Sequence, residues 1–106
     1  MGGIEFLYRE NKIYNDAIAT WGREAQMMKA AEELSEMAAA INRLLCCEVS
    51  GYRNHDEVLE ELKGEYADVE IMLCQLRMLI DMPYEIYVEK LNALEEKIRK
   101  ARENAG

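Results

Sequence analysis

Two long runs of helix-forming residues, Arg23 to Cys47 and Asp56 to Asp81, flank the best turn candidate of the chain, and each run carries an acidic motif. The motifs are Glu32-Glu33-Leu34-Ser35-Glu36 and Glu65-Tyr66-Ala67-Asp68. The numbers of Glu33 and Asp68 add to 101, as do those of Glu36 and Glu65, so both pairs are centred between Ser50 and Gly51. Helices folding back antiparallel at that point would bring four carboxylates to one height. Within each motif the paired acids are three residues apart, which sets two side chains on the same side of a helix about 5–6 Å apart at Cβ. Each pair can grip one cation.

The rest of the chain frames this hairpin. Ile13, Ala17, Ile18 and Trp21 recur at helical spacing from about Asn11, and Gly22 interrupts the pattern. Ile4, Phe6, Leu7 and Tyr8 read as a short apolar lead-in. In the first long run Met27, Ala30, Leu34, Met37, Ala38, Ile41, Leu44 and Leu45 share one stripe, with Glu33 at its edge and Glu32 nearer solvent. Ser50, Gly51 and Asn54 mark the turn, and Asn54 followed by Glu57 resembles a capping box. His55 reads as a solvated residue of that loop or as a substrate contact.

On the second long run Val58, Leu62, Val69, Met72, Leu73, Leu76, Leu79 and Ile80 form the stripe, and Glu65 falls near its middle. A carboxylate on a buried stripe costs several kcal/mol if it stays ionised and unpaired. A cation is the economical compensation. Asp81-Met82-Pro83 ends this helix and starts another, in which Tyr84, Tyr87, Val88, Leu91, Leu94 and Ile98 keep a narrow near-heptad seam to about Arg102. Such a seam packs on the bundle or on another subunit. The expected fold is all-α, a four-helix bundle in one domain spanning residues 1–106.

Composition narrows the partners. Half of the 106 residues are hydrophobic, enough for a single core, and the apolar runs are broken by charge before the roughly 18 residues a membrane span needs. With no basic-then-apolar leader at the N-terminus, a cytoplasmic protein is expected. A net charge of −8 disfavours polymeric nucleic acid. Cys46, Cys47 and Cys74 show no C-x-x-C spacing and His55 is the one histidine, so reduced packing cysteines are expected and a zinc set is not.

Four oxygen ligands favour Mg²⁺ or Mn²⁺ over zinc or copper. A di-iron site would need Glu-x-x-His on two helices, and neither motif contains a histidine. Mg²⁺ held by a few carboxylates keeps positions open for water and substrate phosphates, which points to phosphoryl or nucleotidyl chemistry. No Walker loop is present, so metal rather than backbone amides would bind the phosphates.

The two motifs resemble the E-E-x-x-E … E-x-x-D signature of the MazG-like, all-α nucleoside triphosphate pyrophosphohydrolases. Trp21-Gly22 through Gln26, Lys29-Ala30-Ala31 and Asp68-Val69-Glu70-Ile71-Met72-Leu73 are similar to the small, single-module members, so the resemblance covers about residues 13 to 80. It implies a helical bundle completed as a homodimer or homotetramer, and Mg²⁺-dependent hydrolysis of a (deoxy)nucleoside triphosphate to the monophosphate and pyrophosphate. It also implies Glu33, Glu36, Glu65 and Asp68 as metal ligands, with Glu32 orienting or deprotonating the attacking water. The 36-to-65 interval is long for the family and fits an extended hairpin.

Three further residues are substrate-contact candidates. Lys29, one turn before Glu33, can meet a phosphate or form an ion pair with Glu33 or Glu36. Trp21 can anchor a core or an interface, stack on a base or wall a pocket. Lys90, with Lys97 and Arg99, can supply phosphate contacts from a neighbouring element or subunit or simply line a solvated flank. The contrasting function is a non-catalytic helical protein, an interaction module or a degenerate member of that family, whose amphipathic faces assemble subunits or bind a partner helix.

Overall fold

A computed structural model describes residues 2–105, which form four α-helices and, among these residues, no strand. They are α1 (Gly3–Trp21), α2 (Arg23–Ser50), α3 (His55–Leu79) and α4 (Tyr84–Ala105). The first helix begins earlier than its apolar spacing suggests: residues 3–10 are helical, so Ile4, Phe6, Leu7 and Tyr8 belong to α1 and not to an irregular lead-in. These four side chains are all exposed, and helix formation there owes nothing to a core contact. No helix among the described residues is long and apolar enough to cross a membrane.

The centre is the antiparallel hairpin of α2 and α3. Gly51, at φ 66°, ends α2 in the left-handed conformation, with its N–H donating to the Cys47 carbonyl at 2.8 Å. Asn54 then caps α3, its Oδ1 accepting from the Glu57 N–H at 3.1 Å. His55 is the first residue of α3 and not a loop residue; it is exposed, with Nε2 3.4 Å from Glu48 Oε1. Arg53 grips Glu61 through both guanidinium nitrogens across the loop. The buried Cys47 thiol donates to the Arg53 carbonyl at 3.1 Å.

The seam between α2 and α3 follows the heptad more closely than the apolar stripe. On α2 the buried residues are Gln26, Ala30, Glu33, Ala40 and Cys47, with Met37 and Leu44 half-buried between them. Leu34, Ile41 and Leu45, expected in the core, are exposed instead. The small side chains of Ala30 and Ala40 sit in the contact, and the larger aliphatics are left on the flank. On α3 Val58, Val69 and Met72 are buried as their spacing requires, while Leu73 and Ile80 are exposed.

At the far end of the hairpin the buried Gln26 amide donates to the Gln75 carbonyl oxygen, and Gln75 Nε2 lies 3.7 Å from Met72 Sδ. The numbers 26 and 75 also add to 101, so this pair carries the same register as the two acidic motifs.

Gly22 separates α1 from α2 at φ 91° and ψ 160°, a region open almost only to glycine. The chain turns sharply there, and α1 packs back on both α2 and α3. Tyr14 is its one buried residue. Burial, and then a hydrogen bond with Cys74, pushes the Tyr14 hydroxyl up to about 12. The native state therefore keeps a proton that the unfolded chain releases near pH 10. This contribution is full below pH 10 and is lost as pH rises to about 12. Melting temperatures measured from pH 9 to 12 should fall more steeply for the wild type than for Tyr14→Phe, and parallel curves would refute the assignment.

Helix α3 ends with Asp81 at φ 49° and Met82 N–H donating to the Arg77 carbonyl, and Pro83 follows. The next helix does not fold back. Among the described residues α4 packs against none of the other three helices and buries no residue. Its seam of Tyr84, Tyr87, Leu91, Leu94 and Ile98 is exposed, with Tyr84 and Tyr87 stacked at 5.9 Å between ring centroids.

Candidate metal centre

The hairpin register carries Glu33 and Glu36 of α2 to the level of Glu65 of α3. One carboxylate oxygen from each of the three lies within 4.8 Å of the others. Their environments differ. Glu33 sits in the seam at 6% exposure, Glu65 is half-buried, and Glu36 is exposed at the rim. A cation entering from the Glu36 side would meet all three.

Glu33 Oε2 and Glu65 Oε2 are buried and accept no hydrogen bond. A buried carboxylate oxygen without a donor costs about 1–3 kcal/mol or more, so the seam holds two acceptors that a positive charge would satisfy. This is an observation independent of the acid count. Three carboxylates at this spacing could hold a metal ion. Electrostatics agree: the charge of Glu33, followed by burial and the charges of Glu65 and Glu32, raises the Glu36 carboxyl above its ordinary value.

Lys29 supplies the nearest fixed cation. Its Nζ lies 3.1 Å from Glu33 Oε1 and 3.7 Å from Glu32 Oε2, an ion pair one helical turn long. The hydrogen bond to Glu33, with the charge of Glu32, raises the Lys29 ammonium above its usual value. Of the two roles open to Lys29 in the sequence, the ion pair is the one observed. Glu32 itself is largely exposed, next to the triplet and outside it.

The remaining candidates lie apart. Asp68 is exposed and its carboxylate does not join the close triplet. At this register it is level with Glu33, but Glu33 points into the seam while Asp68 stays at the margin, where the helical wheel puts it. Trp21 ends α1 at 66% exposure, so it is no core anchor. Lys90 and Lys97 are exposed on the unpacked α4, and Arg99 bonds Glu96 and Glu103 of its own helix.

The residues that sequence reasoning missed are Gln26 and Gln75. They lie on the heptad seam, and their shared sum of 101 carries the same register signal as the acidic motifs.

No protein-family model matches the chain, and no curated protein or solved structure matches it either.

Proposed function

We propose that the chain is a divalent-metal-dependent hydrolase of (deoxy)nucleoside triphosphates that releases the monophosphate and pyrophosphate. The observation that carries this reading is the pair of buried, unpartnered carboxylate oxygens of Glu33 and Glu65 at the level of Glu36. The likeness of the two motifs to the MazG-like pyrophosphohydrolases supplies the reaction type.

Glu33, Glu36 and Glu65 would hold Mg²⁺ or Mn²⁺, and Asp68 would join them by a change of rotamer. The bound ion would supply charge stabilisation at the phosphate oxygens and a bound water of lowered pKa. Glu32, beside the triplet and open to solvent, would take the proton of the attacking water. The water oxygen forms a bond to the α-phosphorus, the bond from that phosphorus to the bridging oxygen breaks, and pyrophosphate leaves with the electron pair. Lys29 would meet a phosphate, and Trp21 a base. A homodimer or homotetramer would cover the exposed apolar faces of the hairpin and α4, and Lys90 would reach the substrate from a second subunit.

Incubation with a panel of (d)NTPs and Mg²⁺ tests the reading. Monophosphate and pyrophosphate should appear in equal amounts, and chelation should stop their release. No turnover of any nucleotide would overturn it.

One observation favours a second reading, a non-catalytic association module: the seam of α4 is exposed and packs against no other helix among the described residues. Under that reading Mg²⁺ leaves the melting temperature unchanged. Under the enzyme reading Mg²⁺ raises it by mass action.

A further inference from the structure

We propose that Lys29 is an exchangeable counter-cation, holding Glu33 until a divalent ion takes that carboxylate and then binding the phosphate that arrives with the ion. The proposal rests on the reading of Glu33, Glu36 and Glu65 as a cation site, and it adds an order of events and a split role for one side chain.

The geometry separates the two oxygens of Glu33. Oε1 forms an ion pair with Lys29 Nζ at 3.1 Å, whereas Oε2 is buried without a partner. The carboxylate belongs to a side chain at 8% exposure, so its charge is held in place by the seam and only one of its oxygens is compensated. The Lys29 side chain is about half exposed, at 49%, on a four-carbon stem with three rotatable donors. Of the two members of the pair, the lysine is the one free to leave.

A divalent ion shared by the three glutamates would lie close to this ammonium, and two positive charges compete for Glu33. Entry of the ion therefore weakens the Lys29–Glu33 bond. The displaced ammonium has Glu32 nearby as an alternative partner, at 3.7 Å already, and stays within one helical turn of the site. At the rim it carries a positive charge beside an ion whose open positions favour phosphate oxygens. Lys29 thus opposes the bare metal and assists the metal–phosphate complex, and its removal should push the two affinities in opposite directions.

Lys29→Met keeps the apolar stem and deletes the charge. Calorimetric titration with Mn²⁺ alone, followed by titration of inorganic pyrophosphate into the Mn²⁺-saturated protein, reads both steps without turnover. In Lys29→Met the Mn²⁺ affinity should rise about 3- to 10-fold and the pyrophosphate affinity should fall about 3- to 10-fold, the scale of one partly exposed charge pair. Lys29→Arg should restore pyrophosphate binding. Circular dichroism verifies that each variant is folded, and Lys29→Gln serves as a second deletion of the charge. If wild-type protein binds no Mn²⁺, the cation reading of the glutamates fails and the proposal with it. If the wild type binds Mn²⁺ but Lys29→Met and Lys29→Gln leave both affinities unchanged or move them the same way, Lys29 is a positioning residue for Glu33 only. The exchange is then overturned and the cation site stands.

Discussion

Glu65→Leu should stabilise the metal-free protein and abolish its activity, two effects of opposite sign from one side chain. Glu65 is half-buried in the seam between Leu62 and Val69 of α3, and its Oε2 has no donor. Leucine fills similar volume without a charge, and replacing a buried unpaired polar group in this way gains about 1–3 kcal/mol. Removing the charge also relieves Glu36, whose carboxyl is raised first by Glu33 and then by burial and by Glu65.

That shift gives the pH arm its sign. A carboxyl raised in the folded state binds protons more readily than in the unfolded chain. Metal-free wild type should therefore lose stability as pH climbs from the ordinary carboxylate range through the raised Glu36 value, and the loss should be smaller in Glu65→Leu. Mg²⁺ at 100 times its dissociation constant should add about 2.7 kcal/mol to the wild type and much less to the variant. On the activity side, loss of a ligand shared by substrate and water should lower kcat/KM by about 10³-fold. Urea denaturation with and without Mg²⁺, beside a pyrophosphate-release assay, measures all of these. A destabilised Glu65→Leu, or one that keeps full activity, would refute the reading.

Leu91→Arg combined with Leu94→Arg should dissociate the protein without unfolding it. Both residues are exposed on α4, which among the described residues packs against no other helix, so the variant disturbs no helix packing within the chain. Two central aliphatic anchors replaced by charge typically remove about 2 kcal/mol or more each from an interface, or roughly 10³-fold in affinity together. Light scattering should report an oligomer for the wild type and a monomer for the variant, with unchanged helical circular dichroism. A wild type that is monomeric at every concentration would sink this expectation, as would a variant that still associates.

Much of the hairpin was legible because one spacing rule constrained two distant motifs at once. The centre between Ser50 and Gly51 placed the turn, and Gly51 in the left-handed conformation with Asn54 as cap is what turn chemistry required. Glu33, Glu36 and Glu65 came together for the same reason.

What the sequence left ambiguous was the rotation of α2. It has two adjacent apolar stripes, and hydrophobicity alone favours the one with Leu34, Ile41 and Leu45. The observed contact uses Ala30 and Ala40 with Glu33, a narrower face recognisable only when small residues are counted as close-packing positions. The start of α1 was hidden because its first turns carry apolar residues that touch nothing. The independence of α4 was equally hidden, since the same heptad seam serves a neighbour in the chain or a neighbour outside it.

The amide pair of Gln26 and Gln75 has a consequence for alternative alignments of the two long helices. Sliding one helix past the other by a heptad would leave most of the seam still apolar against apolar, and would move Glu65 away from Glu33 by about 10 Å. Packing alone penalises that mispairing weakly. The amide pair adds to that penalty, because a slide by a heptad in either direction breaks the Gln26–Gln75 hydrogen bond, sets one amide against the carboxylate of Asp68 or Glu33, and carries the other past the end of the facing helix. A contact that lies outside the acidic cluster therefore helps to hold the register on which the cluster depends.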